Sequence, residues 1–128
     1  MTPDLRLLLW TVALTVLQVL VAGVSANGQI RLSVLAGNRD SVPQLTGFAK
    51  RAQSAHRNTL ENLPLFIALV MIAHFVGKAG GIALLGAQLF FWGRVAHWLI
   101  YLAGIPWLRT AAFAVSVIGL IMMFARLV

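Results

Sequence analysis

Arg94, His97 and Tyr101 stand at i, i+3 and i+7, so a helix through them puts all three on one face. A guanidinium, an imidazole and a phenol in one row can hold an anion and donate several hydrogen bonds to it. Arg57 and Glu61 are i, i+4 and can pair, although acid before base is the better order. Asn58 stands beside Arg57, and Arg109 and Thr110 follow a Gly104-Ile105-Pro106 turn. Arg31 closes the first apolar run. Four arginines (31, 57, 94 and 109) against the single carboxylate of Glu61 make a net positive set. Arginine forks match carboxylates in shape and charge. The ligand expected from these residues is a small polar anion.

These residues sit in a chain of 128 residues that is 60% hydrophobic and only 10% charged. Soluble domains are about 45–50% apolar and about 25% charged. The composition excludes an ordinary soluble domain and a disordered chain. The net charge is +7, but the basic residues are spread along the chain. No clustered basic face of the kind nucleic acid needs is present. In a membrane protein the same excess marks cytoplasmic loops and anionic lipid. There are no cysteines, which excludes disulfides, thiolate metal sites and a cysteine nucleophile. Sulfur chemistry, if any, belongs to a substrate. Three histidines without metal-ligand spacing and three acids give no reason to expect a metal site.

A membrane helix needs about 20 mostly apolar residues. Four segments qualify: Leu7 to Ala26, Asn58 to Val76, Ile82 to Leu102 and Trp107 to Phe124. The reading is one all-α domain over residues 1–128, an integral membrane four-helix bundle. Val24-Ser25-Ala26 has the small residues of a cleavage site, but the apolar stretch is nearer 20 residues than the 7–15 of a signal peptide. The first span is read as a retained anchor. Leu45 to Arg57 is a helical lead-in to the second span. Gly37-Asn38 and Val42-Pro43 are turn signals, as is Gly77-Lys78-Ala79-Gly80-Gly81. The short turn at Gly104 makes the third and fourth spans antiparallel neighbours. Ala13, Gly23, Gly86, Ala87 and Gly93 allow close helix approach. Trp10 and Trp107 read as interfacial belt residues.

With the N-terminus outside, Arg31, Arg39, Lys50, Arg51, Arg57 and Arg109 lie inside, against Arg6, Lys78 and Arg126 outside. The positive-inside rule favours that orientation, with both termini outside and the first loop cytoplasmic. The end of span one, the start of span two, the end of span three and the start of span four then share one membrane face. That face gathers Arg31, Arg57, Asn58, Glu61, Arg94, His97, Tyr101, Arg109 and Thr110. The opposite face offers little beyond Lys78 and His74, for which the sequence supplies no partner. Singly, each residue has a plainer reading: Arg31 and Arg109 as interface anchors, Arg57–Glu61 as a structural pair, His97 as a packing histidine, His56 as solvated or structural. Arg94 differs, because an intramembrane arginine is functional by default. An apolar co-substrate would reach this face from the bilayer. Four thin spans hardly enclose both ligands, so an oligomer with sites between subunits is expected, its number open.

Arg51-Ala-Gln-Ser-Ala-His56-Arg57-Asn58-Thr-Leu-Glu61-Asn-Leu-Pro64-Leu-Phe66 resembles the signature of the MAPEG family, the membrane-associated proteins in eicosanoid and glutathione metabolism. Gly93-Arg94-Val95-Ala96-His97 with Tyr101 and Arg109 is similar to the third-to-fourth helix region of its prostaglandin E synthase branch. Gly28-Gln29-Ile30-Arg31 is similar to the end of that branch's first helix. The resemblance implies a homotrimer with glutathione bound between subunits near the cytoplasmic face. It implies that Arg31, Arg57, Asn58, Glu61, Arg94, His97, Tyr101 and Arg109 contribute to that site, with Arg109 stabilising the thiolate and Thr110 beside it. Thr110 stands where the synthases have serine, and Phe113 where they have tyrosine. These departures bear on the electrophile more than on glutathione.

The expected function is a glutathione-dependent transferase or peroxidase acting on hydrophobic electrophiles. The alternatives are a non-catalytic lipid- or glutathione-binding protein and, ranked last, a small proton-coupled exporter using Glu61.

Overall fold

The computed structural model describes residues 1–38 and 43–128. Five helices follow in order: α1 (Pro3–Asn27), α2 (Leu32–Ala36), α3 (Gly47–Phe75), α4 (Ile82–Ala103) and α5 (Pro106–Leu127). No strand occurs among the described residues. Arg39 and the Val42 half of the expected Val42-Pro43 turn lie outside them. The four expected spans are α1, α3, α4 and α5. The main difference in bounds is at α3, which starts at Gly47 and absorbs the lead-in without a break. Its 29 residues span about 43 Å at 1.5 Å per residue, against a hydrocarbon core of about 30 Å.

α1, α3 and α5 are each long and apolar enough to cross a membrane. α4 has the same 22 residues as α5, but Gln88, Arg94 and His97 dilute its apolar character. Arg94 and His97 are turned inward, at 0% and 2% exposure. They are therefore surrounded by the bundle and not by lipid.

The helix ends follow local chemistry. Gly104 closes α4 in the left-handed region at φ 79°, where a side chain is disfavoured. Pro106 then opens α5, at a position where a missing N–H costs nothing. α4 and α5 pack backbone to backbone. A Cβ on Gly86 would stand 2.6 Å from the Gly119 carbonyl oxygen, and one on Gly93 would stand 2.9 Å from the Ser116 nitrogen. Gly86, Ala87 and Gly93 thus do what their size predicts. Ala13 and Gly23 do not: Ala13 is exposed and Gly23 has nothing within 4 Å of a Cβ.

Phe66, Val70, Ala87, Phe90, Leu120 and Met123 form the main core, with Phe66 stacked on Phe90 at 4.2 Å between ring centroids. Leu14, Ala55 and Trp98 join α1, α3 and α4 in a second cluster. Polar ties fix both ends of the bundle. At one end His74 Nδ1 lies 3.0 Å from Asp4 Oδ2. This corrects the sequence reading that left His74 without a partner: α1 and α3 run antiparallel, so residues 70 apart in sequence meet. At the other end Gln29 clamps Thr46 through both amide atoms, donating to the Thr46 carbonyl at 2.8 Å and accepting from its N–H at 3.0 Å. The clamp brings the end of α1 to the start of α3. Beside it, Arg51 Nε donates to the Leu102 carbonyl at 3.1 Å. That carbonyl belongs to the last turn of α4, where intrahelical partners run out.

Candidate ligand-binding site

The end of the bundle carrying these last two ties also carries the site. α4 delivers His97 and Tyr101 from successive turns, and their rings meet edge-on at 5.4 Å. α5 brings Arg109 back across the Gly104 turn, with its guanidinium carbon 4.3 Å above the centre of the Tyr101 ring. A cation over an aromatic face is attracted by the ring's quadrupole, so Tyr101 holds Arg109 in place. Phe113, one turn further along α5, lies 6.3 Å from His97 between ring centroids. α3 adds Asn58. Together Asn58, His97, Tyr101, Arg109, Thr110 and Phe113 line a cavity of about 240 Å³.

Arg94 stands behind this cavity and does not line it. Its Nη2 donates to Thr59 Oγ1 at 2.9 Å and lies 3.3 Å from His97 Nδ1. Its Nε and Nη1 are buried without a partner, as is Asn58 Oδ1. Buried polar groups are normally satisfied, so these sealed atoms mark places for ordered water. Thr110 donates its hydroxyl to the Pro106 carbonyl at 3.2 Å, which leaves the oxygen to accept and not to donate.

The structure therefore brings together Asn58, His97, Tyr101, Arg109 and Thr110, with Arg94 as support. It does not bring Arg31, Arg57 or Glu61 into the cavity. All three are exposed, Arg31 just before α2 and the other two on α3. The ion pair allowed by the Arg57–Glu61 spacing is not formed among the described residues. Their order is the weaker one for a helix, and nothing packs over the two side chains to fix them. Thr59, fully buried, is a partner of Arg94 that sequence reasoning missed. A threonine in an apolar helix gives no signal unless its distance from Arg94 is known. Phe113 was noted only as a departure, yet it forms a wall of the site.

A family model described as the MAPEG family matches residues 7–128. The chain belongs to the MAPEG family. No curated protein matches it. MAPEG proteins are membrane helical bundles, and this membership, with the three long apolar helices, makes the chain an integral membrane protein. The MAPEG family includes glutathione-dependent transferases and isomerases.

A larger cavity of about 490 Å³ lies elsewhere, between the end of α1, α2 and the first turns of α3. Its apolar side is Ala22, Ala26, Ile30 and Leu45, and its polar side is Lys50, Gln53 and His56. None of the cavity residues built around His97 reaches it.

Proposed function

We propose that this protein is a membrane glutathione-dependent transferase or peroxidase. The observation that carries the reading is the cavity at the α4–α5 turn of a MAPEG chain, where Arg109, Tyr101, His97 and Asn58 converge. Glutathione would place its thiol toward Arg109. A free cysteine thiol has a pKa of about 8.5, lowered beside a cation. Arg109 lies in the first turn of α5, where the helix dipole adds further positive potential. The S–H bond breaks, its proton leaves to bulk water, and the thiolate that remains is the nucleophile. A hydrophobic electrophile would arrive from the bilayer on the Phe113 side. Conjugation forms the carbon–sulfur bond as the leaving group departs with the electron pair.

The site end would face the cytoplasm, with both termini outside. Three copies would assemble, and the exposed Arg31, Arg57 and Glu61 of one subunit would complete the cavity of the next. That arrangement gives those outward-facing charges a use which the single chain does not.

The test is glutathione binding to the detergent-purified protein, followed by ultraviolet thiolate absorbance. Binding with a thiolate band is expected. Arg109→Ala should lose the band and lower turnover by about 10²–10³, as for removal of a preorganised charge partner. Absence of binding to folded protein would overturn the reading. A thiolate band unchanged in Arg109→Ala would remove Arg109 from the mechanism. The second reading, a pocket that holds ligand without turnover, is favoured by Phe113, which offers a ring without a hydroxyl, and by Thr110, whose proton is already engaged. Bound glutathione with no turnover across a broad electrophile panel would decide for it.

A further inference from the structure

His97 is the residue in this site that chemistry would first nominate as a base, and its surroundings assign it another role. A guanidinium carries only N–H donors and no acceptor. Arg94 Nη2 faces His97 Nδ1 at 3.3 Å, so Nδ1 must accept. An imidazole that accepts at Nδ1 is neutral and keeps its proton on Nε2. Arg94 is held in that position by its 2.9 Å bond to Thr59 Oγ1. Both Arg94 and Thr59 are fully buried, so neither is free to swing to solvent. Nε2 has no hydrogen-bond partner among the described residues, yet it is not among the sealed, unpartnered nitrogens. The ring lines the 240 Å³ cavity. The charged groups near the ring are Arg94 from α4 and Arg109 from α5; Tyr101 and Asn58 are its neutral polar neighbours, and no carboxylate pairs with it among the described residues.

We infer that His97 offers its Nε2–H to the ligand as a fixed hydrogen-bond donor and takes no proton from it, with Thr59, acting through Arg94, as the positioning residue. The cavity is then a wall of donors at Arg109 and His97, with the Tyr101 ring beneath Arg109. The acceptor beside them is Thr110 Oγ1, whose own proton is engaged by the Pro106 carbonyl and whose oxygen is left for an N–H of the ligand. Such a pocket selects a molecule carrying an anionic acceptor and an amide or ammonium donor within one short reach, and it rejects a simple fatty carboxylate. The choice of glutathione as that molecule rests on the proposed function; the donor assignment does not.

The experiment is ¹⁵N NMR of histidine-labelled full-length protein in detergent, with His97→Gln used to assign the ring. The wild type at neutral pH should show residue 97 as the Nε2–H tautomer. Thr59→Val should turn it into a tautomer mixture, and Thr59→Ser should restore it. Glutathione affinity is measured alongside. His97→Gln, whose amide nitrogen reaches the Nε2 position, should bind within about threefold of wild type. His97→Asn, which reaches only the Nδ1 position, should lose about tenfold or more, the scale of a hydrogen bond to a charged group. An Nδ1–H tautomer or an imidazolium in the wild type would overturn the inference, as would equal affinities of the Gln and Asn variants. An Nε2–H tautomer in a protein that binds no glutathione would uphold the donor and overturn the glutathione reading.

Discussion

Tyr101 and Arg109 set the finest scale of this molecule, because the cavity's free cation is held by a ring face. A cation–π contact contributes about 0.5–1 kcal/mol when exposed and about 2 when desolvated. Tyr101→Phe keeps the ring and should leave glutathione affinity within a few-fold of wild type. Tyr101→Leu removes it and should weaken binding about 3- to 30-fold, as isothermal titration would record. Equal losses in the two variants would mean that the phenol hydroxyl, not the ring face, is what matters. At this scale the sequence was legible where partners share a helix. The i, i+3, i+7 row of Arg94, His97 and Tyr101 stands on one face as spacing requires. It was illegible where partners come from different helices. Nothing in a linear chain ties Thr59 to Arg94 or Asp4 to His74. Arg57 and Glu61 show the converse: a spacing that permits contact does not oblige it.

Among the elements, the α4–α5 pair is the one whose geometry tolerates least. A methyl on Gly86 meets the Gly119 carbonyl at 2.6 Å and Met123 Cγ at 2.8 Å. The side chain can yield, but the carbonyl is backbone. Gly86→Ala should therefore destabilise by about 1–3 kcal/mol through overpacking. Gly23→Ala has open space around it and should be neutral or raise stability by about 0.5–1 kcal/mol, through better helix propensity alone. Thermal unfolding in one detergent compares the two, and a Gly86→Ala protein as stable as wild type would remove the close contact. The elements themselves were readable from runs of apolar residues and from the glycine and proline turns. The extension of α3 back to Gly47 was legible as a helical lead-in from Leu45, whereas the Gln29–Thr46 clamp that ties its start to α1 joins residues 17 apart and no local pattern announces it. The inward turn of α4 explains how this helix can carry Arg94 and His97.

At the scale of the whole molecule, much apolar surface is left uncovered by a single chain. Leu17, Leu20, Ile118 and Ile121 are each about half exposed or more. Lipid tails cover such surface in a bilayer, but they offer no hydrogen-bond partner to Arg57 or Glu61. Native mass spectrometry from detergent should record three copies, and a protein that stays monomeric while binding glutathione would remove the shared-site arrangement. Five of the six cavity residues belong to α4 and α5, and Asn58 alone comes from α3. Because the glycine contacts lock α4 to α5, those five behave as one stiff jaw, and the cavity widens only if α3 draws away from it. Two side-chain hydrogen bonds latch that seam, Arg94 to Thr59 and Arg51 to the Leu102 carbonyl. The rate at which a bound molecule leaves the cavity is thus tied to the lifetime of two arginine contacts, neither of which lines the cavity.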